Sequence, residues 1–538
     1  MQTYDFIVVG AGSAGSVLAE RLSASGRHSV LVLEAGGSDR RFYVQMPLGY
    51  GKCFFDPAVN WNYKAEPDPG LDGNADHWPR GRILGGSSSI NAMVWIRGAR
   101  EDFDEWRDAG NPGWGYDDVL PVFKAIEDNQ SGADEWRATG GPLHVADMTA
   151  GVHPLTHRYL KAAQQAGLPL NPDFNGATQE GVGIYQISAK GGCRMSAARA
   201  FLRPAMKRAN VRVETGALAT RLVFEGSRAV GVEYERGGRT HVTRAGREVI
   251  VSGGSVNSPQ LLQLSGVGPG ALLQRLGMEV VHANANVGAN LQDHVGINYT
   301  FRARVPTLNQ ILRPWWGKLA VGTRYLLMRS GPLSLSMNNA GGFFRTDPSR
   351  PRPNMQLYFQ AFSTVIPKAG ERPILSPDPW PGFSIGLSNA RPSSRGEIMI
   401  RSADPHEHPR IVANAYSTEA DVAEMLAAVK FVRTIAAQPA IAEVIEEEVL
   451  PGACVRSDAD LTLDFRRRSG TVYHPVSTCR LGPDAASSVV DPRLRVHGLA
   501  GLRVIDASVF PGNITGNTNA ASIMTGWKGA DMVLEDNR

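Results

Sequence analysis

His474 and Cys479 lie five positions apart in TVYHPVSTCRLG, residues 471–482, and either side chain could do chemistry near neutral pH. A neutral imidazole can take a proton from an alcohol. The same ring could instead activate the Cys479 thiol, bind a metal, or lie buried as an inert core residue. The stretch alone leaves all four open. A thiol nucleophile needs an orienting third group and an oxyanion loop, and no segment supplies either. A metal needs further ligands at recognisable spacing, and HEHP at 406–409 reads as a surface turn between strands.

Residues suited to a phosphorylated cofactor sit at the other end of the chain. GAGSAG places Gly10, Gly12 and Gly15 between the apolar run YDFIVV and a segment with Ala14, Leu18 and Leu22 on one helical face. Such glycines let the backbone approach a pyrophosphate, whose charge the helix N-terminus stabilises. Glu34 closes the next apolar run about twenty residues on, where a carboxylate accepts ribose hydroxyls. An acidic residue there favours NAD or FAD over NADP and does not separate the first two. A tight turn with no ligand is the plainer alternative.

A longer segment, WPRGRILGGSSSINAMVWIRGAREDFDEW (78–106), joins Gly85 and Gly86 to Ser87, Ser88 and Ser89 and then to the apolar run NAMVWI. The glycines allow close backbone approach, and the hydroxyls can donate to a phosphate or a ring edge. The apolar run predicts burial rather than a flexible serine loop.

These residues need a scaffold. The first apolar run, the glycine turn, the helix and SVLVLEAGG (29–37) form a β-α-β unit of about the usual thirty residues. Between 212 and 253, β-rich runs with glycine or charged turns predict hairpins rather than crossovers. From 300 to 465, alternating strands (Met355, Leu357 and Phe359; FSIGLS) and proline-rich loops at 347–353 and 376–382 predict a separate antiparallel sheet. A helix over 419–436 follows, with Thr418 and Asp421 as a capping box and Val422, Met425, Leu426 and Val429 as its apolar stripe. At 538 residues the chain exceeds what one hydrophobic core supports.

Composition narrows the function classes. With 42% hydrophobic and 20% charged residues, the chain reads as globular and folded throughout. Its net charge of +4 comes without a dense basic run, so no nucleic-acid partner is expected. Cys53, Cys193, Cys454 and Cys479 form no CxxC pair, so free thiols in a reducing compartment are expected. The opening MQTYDFIVVGAG leaves no room for a signal peptide, and no apolar run is long enough for a bilayer, so a cytoplasmic protein is expected. RPWWGKLAVGTRYLLMR (313–329) mixes aromatic, leucine and basic residues as an interfacial helix does. That leaves peripheral contact with the inner face of a membrane open, although a lid or a packed helix is the favoured reading.

Two stretches are more specific. Segment 78–106 resembles the first signature of the glucose-methanol-choline (GMC) oxidoreductases, which are FAD-dependent, and GSVNSPQLLQLSGVG (254–268) matches the second. Similarity at VGANLQDH (287–294), SSRGEIMIRSADP (393–405) and the closing segment extends the resemblance over essentially the whole chain. It implies an α/β (α+β) fold. An FAD-binding Rossmann-like domain would comprise 1–150, 196–300 and 466–538, and an inserted substrate domain on an antiparallel sheet would comprise 151–195 and 301–465. His474 aligns with the family's catalytic histidine, and Asn519 in TGNTNAAS with its partner. FAD contacts are implied at Gly10, Gly12, Ser13, Ala14 and Gly15, and at Glu34 and Ala35. Further contacts are implied at Gly85, Gly86, Asn91, Ala92, Met93 and Val94, at Ala219, and at Tyr473, Asp506, Ala507 and Asn519. Some family members link the flavin covalently at a position that is Ile90 here, so non-covalent FAD is expected. No metal is expected.

The resemblance further implies oxidation of a primary alcohol to an aldehyde. His474 would take the hydroxyl proton as general base, Asn519 would hold the substrate oxygen, and hydride would pass to flavin N5. GGSSSINAM resembles the choline dehydrogenase and primary-alcohol dehydrogenase branch. A neutral primary alcohol is favoured over choline, because Tyr473 is a single aromatic wall for a quaternary ammonium and no acidic partner is evident. A non-redox enzyme of hydroxynitrile-lyase type shares the fold, and an NAD-dependent dehydrogenase would satisfy the N-terminal motif alone. Oxygen and a quinone or respiratory carrier are equally compatible electron acceptors, and oligomeric state stays open.

Overall fold

A computed structural model describes residues 2–364 and 376–538. Two seven-stranded sheets, each with its own apolar core, organise the chain. The first runs in the order Val211–Thr215, Val30–Glu34, Thr3–Val9, Arg239–Val251, Arg228–Arg236 and Leu218–Glu225, with Leu502–Val504 also beside Arg239–Val251. Its central strands are continuous apolar runs because both faces are covered. Thr3–Val9 pairs parallel with Val30–Glu34, setting Val9 against Leu33. That register brings the Gly10 turn and Glu34 to the carboxyl ends of adjacent strands, where open α/β sheets bind ligands.

The stretch expected as hairpins is mixed. Leu218–Glu225, Arg228–Arg236 and Arg239–Val251 form an antiparallel meander, whereas Val211–Thr215 pairs parallel with Val30–Glu34. Arg239–Val251 is 13 residues long; its polar first half closes the meander, and its apolar second half runs parallel to Thr3–Val9.

The second sheet is antiparallel throughout, in the order Ile445–Leu450, Val295–Ala303, Gly382–Asn389, Met355–Gln360, Ala340–Phe344 and Gly181–Ile184. Gly470–Thr471 also pairs with Val295–Ala303. The boundaries expected at 300 and 465 therefore cut this sheet, because the chain passes straight from His294 into Val295 with no turn to mark the change. Helix Glu419–Ala436 packs into the same core through Met425 and Val429. Thr418 caps it by accepting from Asp421 N at 3.3 Å. Only half of the expected capping box forms: the Asp421 carboxylate instead accepts from Ser393 N and Ser394 N, at 2.8 and 2.9 Å.

Helix Trp315–Met328 is the exception to packing. It buries only Gly317 and Tyr325, so the packed-helix reading fails; its apolar side chains point around the helix rather than along one stripe. No helix among the described residues is long and apolar enough to cross a membrane.

Candidate active site

A cavity of about 580 Å³ runs from the glycine turn to His474. Gly10, Gly12, Ser13, Ala14, Glu34 and Ala35 line one end together with Ala219, and Tyr50, Phe54, Tyr473, His474 and Asn517 line the other.

At the first end the two glycine motifs meet. A Cβ on Gly86 would stand 2.8 Å from Gly12 Cα, and one on Gly10 would stand 2.4 Å from Ser252 O. Only hydrogen side chains leave this backbone open to a ligand. Gly15 and Gly85, expected as direct contacts, do not line the cavity. Gly15 lets the first helix press against the Gly10 carbonyl, and Gly85 turns the chain at φ +87°. Helices Ser13–Ser23 and Asn519–Asp536 both begin at the wall, where Ser13 Oγ donates to Asn519 Oδ1 at 2.8 Å. Two helix N-termini thus converge where a pyrophosphate's charge would be stabilised.

Glu34 accepts from Ala11 N at 3.0 Å and from Gly36 N at 2.8 Å. Burial pushes its carboxyl up to about 7, against those bonds and Arg82. Each oxygen keeps a lone pair for a ribose hydroxyl. Asp506 accepts from Gly254 N and Ser508 N, each at 2.8 Å, and from Ser258 Oγ; it ties the helix Gly254–Leu264 to the cavity wall that Ala507 continues. Asn91, Ala92, Met93 and Val94 line the middle, with Asn91 Oδ1 held by Arg194 Nη1 at 2.7 Å.

The serine array differs from expectation. Ser88 and Ser89 are buried and donate to the Gly85 and Leu84 carbonyls at 2.6 and 2.7 Å, and only Ser87 lines the cavity. These hydroxyls satisfy backbone carbonyls that burial would otherwise leave unpaired. The glycine cradle, the paired helix termini and the spare Glu34 lone pairs fit FAD. Ile90 reaches the cavity without a nucleophile.

At the far end, His474 is clamped at both backbone and ring. Its N–H donates to Asp293 Oδ1 at 2.8 Å, and Asn513 Nδ2 donates to its carbonyl at 3.2 Å. Its Nδ1 lies 3.0 Å from His294 Nδ1, and its Nε2 lies 3.1 Å from Asn517 Nδ2. Burial, then His294 and Arg80, hold its pKa well below the ordinary histidine value, so the ring is neutral. The preceding Tyr473 takes φ +72°, fixed by Thr471 Oγ1 on its N–H at 2.8 Å and by Arg80 Nη2 on its carbonyl at 2.7 Å.

The partner of His474 is therefore Asn517, whereas the sequence pointed to Asn519. Asn519 is the first residue of the last helix and turns to Ser13, while Asn517 lies on the loop before it, behind Gly516 at φ +124°. The sequence signal for Asn517 was the same TGNTNAAS motif, read two residues too far.

The rival chemistries lose their geometry. Cys479 is buried in the first core and its thiol is pushed far up by burial, so it is no nucleophile. His406 Nε2 meets Glu235 at 2.9 Å, and the His408 ring stands 4.7 Å from Tyr63. Among the described residues no three His, Cys, Asp or Glu side chains could hold a metal. What remains is a neutral imidazole and an amide donor at one end of a cavity whose other end suits a dinucleotide.

Known proteins resemble this chain in sequence and fold. Residues 4–296 and 392–526 match the N-terminal and C-terminal GMC oxidoreductase profiles. An oxygen-dependent choline dehydrogenase of Rhizobium johnstonii is 42% identical over 531 residues, covering 98% of this chain and 95% of that protein. The mitochondrial choline dehydrogenase of Homo sapiens is 41% identical, covering 98% and 89%. Among solved structures, pyridoxine 4-oxidase from Mesorbium loti superposes with a TM-score of 0.88 at 30% identity, covering 98% of each chain. A formate oxidase superposes with a TM-score of 0.92 at 26% identity, covering 99% of this chain and 98% of its own.

Proposed function

The chain belongs to the GMC oxidoreductase family and is an FAD-dependent enzyme, and on that premise we propose that it oxidises the primary alcohol of choline to an aldehyde with His474 as general base. The observation that carries the chemistry is His474 Nε2 at the cavity wall with Asn517 Nδ2 3.1 Å away. Bound FAD supplies the hydride acceptor. An alcohol that enters the Asn517–His474 hydrogen bond gives its proton to His474 Nε2 in place of the amide N–H, and its oxygen takes that Asn517 N–H, so developing negative charge stays partnered. The burial that keeps the imidazole neutral also keeps it free to accept that proton.

Three observations support choline over the neutral alcohol favoured from sequence. The choline dehydrogenases above are similar over nearly the whole chain. Tyr50, Phe54 and Tyr473 stand edge to face beside His474, with ring centroids 5.4 and 5.1 Å apart; several aromatic rings around one space suit a quaternary ammonium. Asp76 lines the same cavity and adds to the burial that raises the Tyr473 phenol, which supplies the acidic partner missing from the sequence reading. Burial raises Asp76 only to about 6, so it is charged at neutral pH. The test compares choline with 3,3-dimethylbutan-1-ol, its uncharged isostere, in anaerobic flavin reduction. Choline should half-saturate at about 2- to 30-fold lower concentration, the worth of a cation–π contact. Better reduction by the isostere replaces choline with a neutral alcohol. No reduction by any alcohol in the FAD-loaded enzyme removes the oxidation and leaves the non-redox lyase.

We also propose that helix Trp315–Met328 docks on an anionic bilayer. Trp315, Leu327 and Met328 are 73%, 79% and 70% exposed. No Asp or Glu occurs from Val295 to Thr346; Arg313 faces Asp378, whereas Lys318, Arg324 and Arg329 form no ion pair among the described residues. Tryptophans beside unpaired cations suit an acidic lipid interface. Sedimentation with phosphatidylglycerol vesicles, and not phosphatidylcholine vesicles, should carry the protein down, and Trp315→Ser with Leu327→Ser should abolish it. Equal failure with both vesicles, or a dimer in light scattering that the double variant dissolves, overturns the lipid partner. Turnover with oxygen and with a quinone would then identify the electron acceptor.

A further inference from the structure

We propose that His294 is a positioning residue that fixes His474 in the tautomer whose bare Nε2 faces the cavity. The inference rests on the oxidation reading for its purpose, and on hydrogen-bond logic for its substance. His294 closes the VGANLQDH motif and is fully buried. Its Nε2 lies 3.0 Å from the Ala390 carbonyl. A carbonyl oxygen only accepts, so the proton of His294 sits on Nε2. A second proton would make a buried imidazolium; burial, joined by Arg391 and only partly offset by the backbone at Ala390 and Ile514, holds this pKa down to about 3. His294 Nδ1 is therefore a bare acceptor. His474 Nδ1, 3.0 Å away with the rings crossed at 86°, must donate to it. A neutral His474 with its proton on Nδ1 has its lone pair on Nε2.

A second chain of bonds reaches the same answer from the opposite side. Tyr358 Oη donates to Gln356 Oε1 at 2.8 Å, which turns the Gln356 amide nitrogen toward Asn517 Oδ1 at 3.2 Å. The Asn517 nitrogen then points at His474 Nε2. An amide N–H only donates, so His474 Nε2 accepts. Two networks from different strands thus agree on one proton position. The mirror tautomer would set two N–H groups against each other at Nε2 and two lone pairs at Nδ1.

His294 touches neither substrate nor cavity, so its loss acts through His474. His294→Leu removes the acceptor for Nδ1–H and frees the ring to place its proton on Nε2, as happens when a catalytic imidazole loses the group that orients it. Flavin reduction by alcohol should fall on the order of 10²-fold, as for a misoriented catalytic group, with FAD content unchanged. His294→Gln keeps both bonds, through Nε2–H to Ala390 and Oε1 to His474, and should stay within about tenfold of wild type. A Leu variant reduced at the wild-type rate overturns the proposal, and so does a Gln variant as slow as the Leu variant, which would indicate packing alone. Should the Leu variant fail to fold, nitrogen NMR of ¹⁵N-histidine wild-type holoenzyme decides. The signals of His474, identified by their loss in His474→Gln, should show a protonated Nδ1 and a pyridine-like Nε2; the reverse pattern sinks the assignment. A wild-type enzyme that no alcohol reduces would remove the oxidation reading and leave this spectrum still decisive for His294.

Discussion

Exchanging each of two asparagines for alanine should separate chemistry from cofactor retention. Asn517 Nδ2 lies 3.1 Å from Nε2 of the proposed base His474, where an alkoxide would gather charge. A hydrogen bond to a charged oxygen is worth about 1.5–3 kcal/mol, and about 1.4 kcal/mol is a factor of ten in rate. Asn517→Ala should therefore slow anaerobic flavin reduction by about 10- to 150-fold, with FAD retained. Asn519 makes one neutral bond, from Ser13 Oγ at 2.8 Å, worth about 0.5–1.5 kcal/mol. Its alanine variant frees Ser13 at the cavity wall, so FAD affinity should fall by at most about 12-fold, and the bound fraction should be reduced at nearly the wild-type rate. Asn517→His should keep appreciable activity, because an imidazole N–H can replace the amide donor. Stopped-flow reduction of fully flavinated protein, with FAD affinity from ultrafiltration, reads both quantities. Slower reduction in Asn519→Ala than in Asn517→Ala would refute the assignment and restore Asn519 as the oxygen's partner.

His474→Ala should slow flavin reduction by about two to four orders of magnitude, and a near wild-type rate would remove the base. Because burial lowers the His474 pKa, wild-type reduction should already have reached its plateau at pH 6.5, and a rise continuing above that pH would contradict a depressed base. Ile90 offers no nucleophile, so acid precipitation should leave the yellow colour in the supernatant rather than the pellet. His294, near 3 in the fold and about 6.5 unfolded, has a depressed pKa, so its stabilisation is present above pH 6.5 and is lost as pH falls toward 3. The share due to His294 at pH 5 is about 2 kcal/mol, read as the difference between wild type and His294→Gln in how urea-unfolding free energy changes from pH 7 to 5, because Glu34 and Asp293, raised to about 7 by burial, respond to pH in the opposite sense.

The nucleotide-binding end was legible because its chemistry is local. Glycine spacing, the apolar runs on either side and Glu34 twenty-odd residues later fix one β-α-β unit, and the parallel register follows. The serines misled because composition names donors without naming their acceptors; Ser88 and Ser89 donate to carbonyls within their own turn. Asn517 and Asn519 differ only in which side of a helix start they occupy, a distinction finer than pattern reading carries. His294 was visible as part of a motif, but its partner is 180 positions away, and only the fold brings them together. Helix Trp315–Met328 was legible as apolar and basic, and its exposure was not.

The proposed base also depends on where its supports come from. His474 and Asn517 lie on segments that lead into the first sheet and the last helix, yet the groups that orient them belong to the second sheet. His294 directly precedes strand Val295–Ala303, Ala390 directly follows Gly382–Asn389, and Gln356 lies within Met355–Gln360. These three strands are neighbours, so one hydrogen-bonded ladder sets both the tautomer of the imidazole and the plane of the amide. The glycine cradle is set independently by the first sheet. Misplacement of about 1 Å between a base and its reacting atom can slow catalysis by about 10²-fold, which makes the seam between the sheets part of the site. Tyr473, held at φ +72° by Thr471 and Arg80, is where the chain crosses that seam. The constraint on its backbone is what carries His474 from the strand at Gly470–Thr471 to the cavity wall, so an aromatic residue in a left-handed conformation serves the base as well as the pocket.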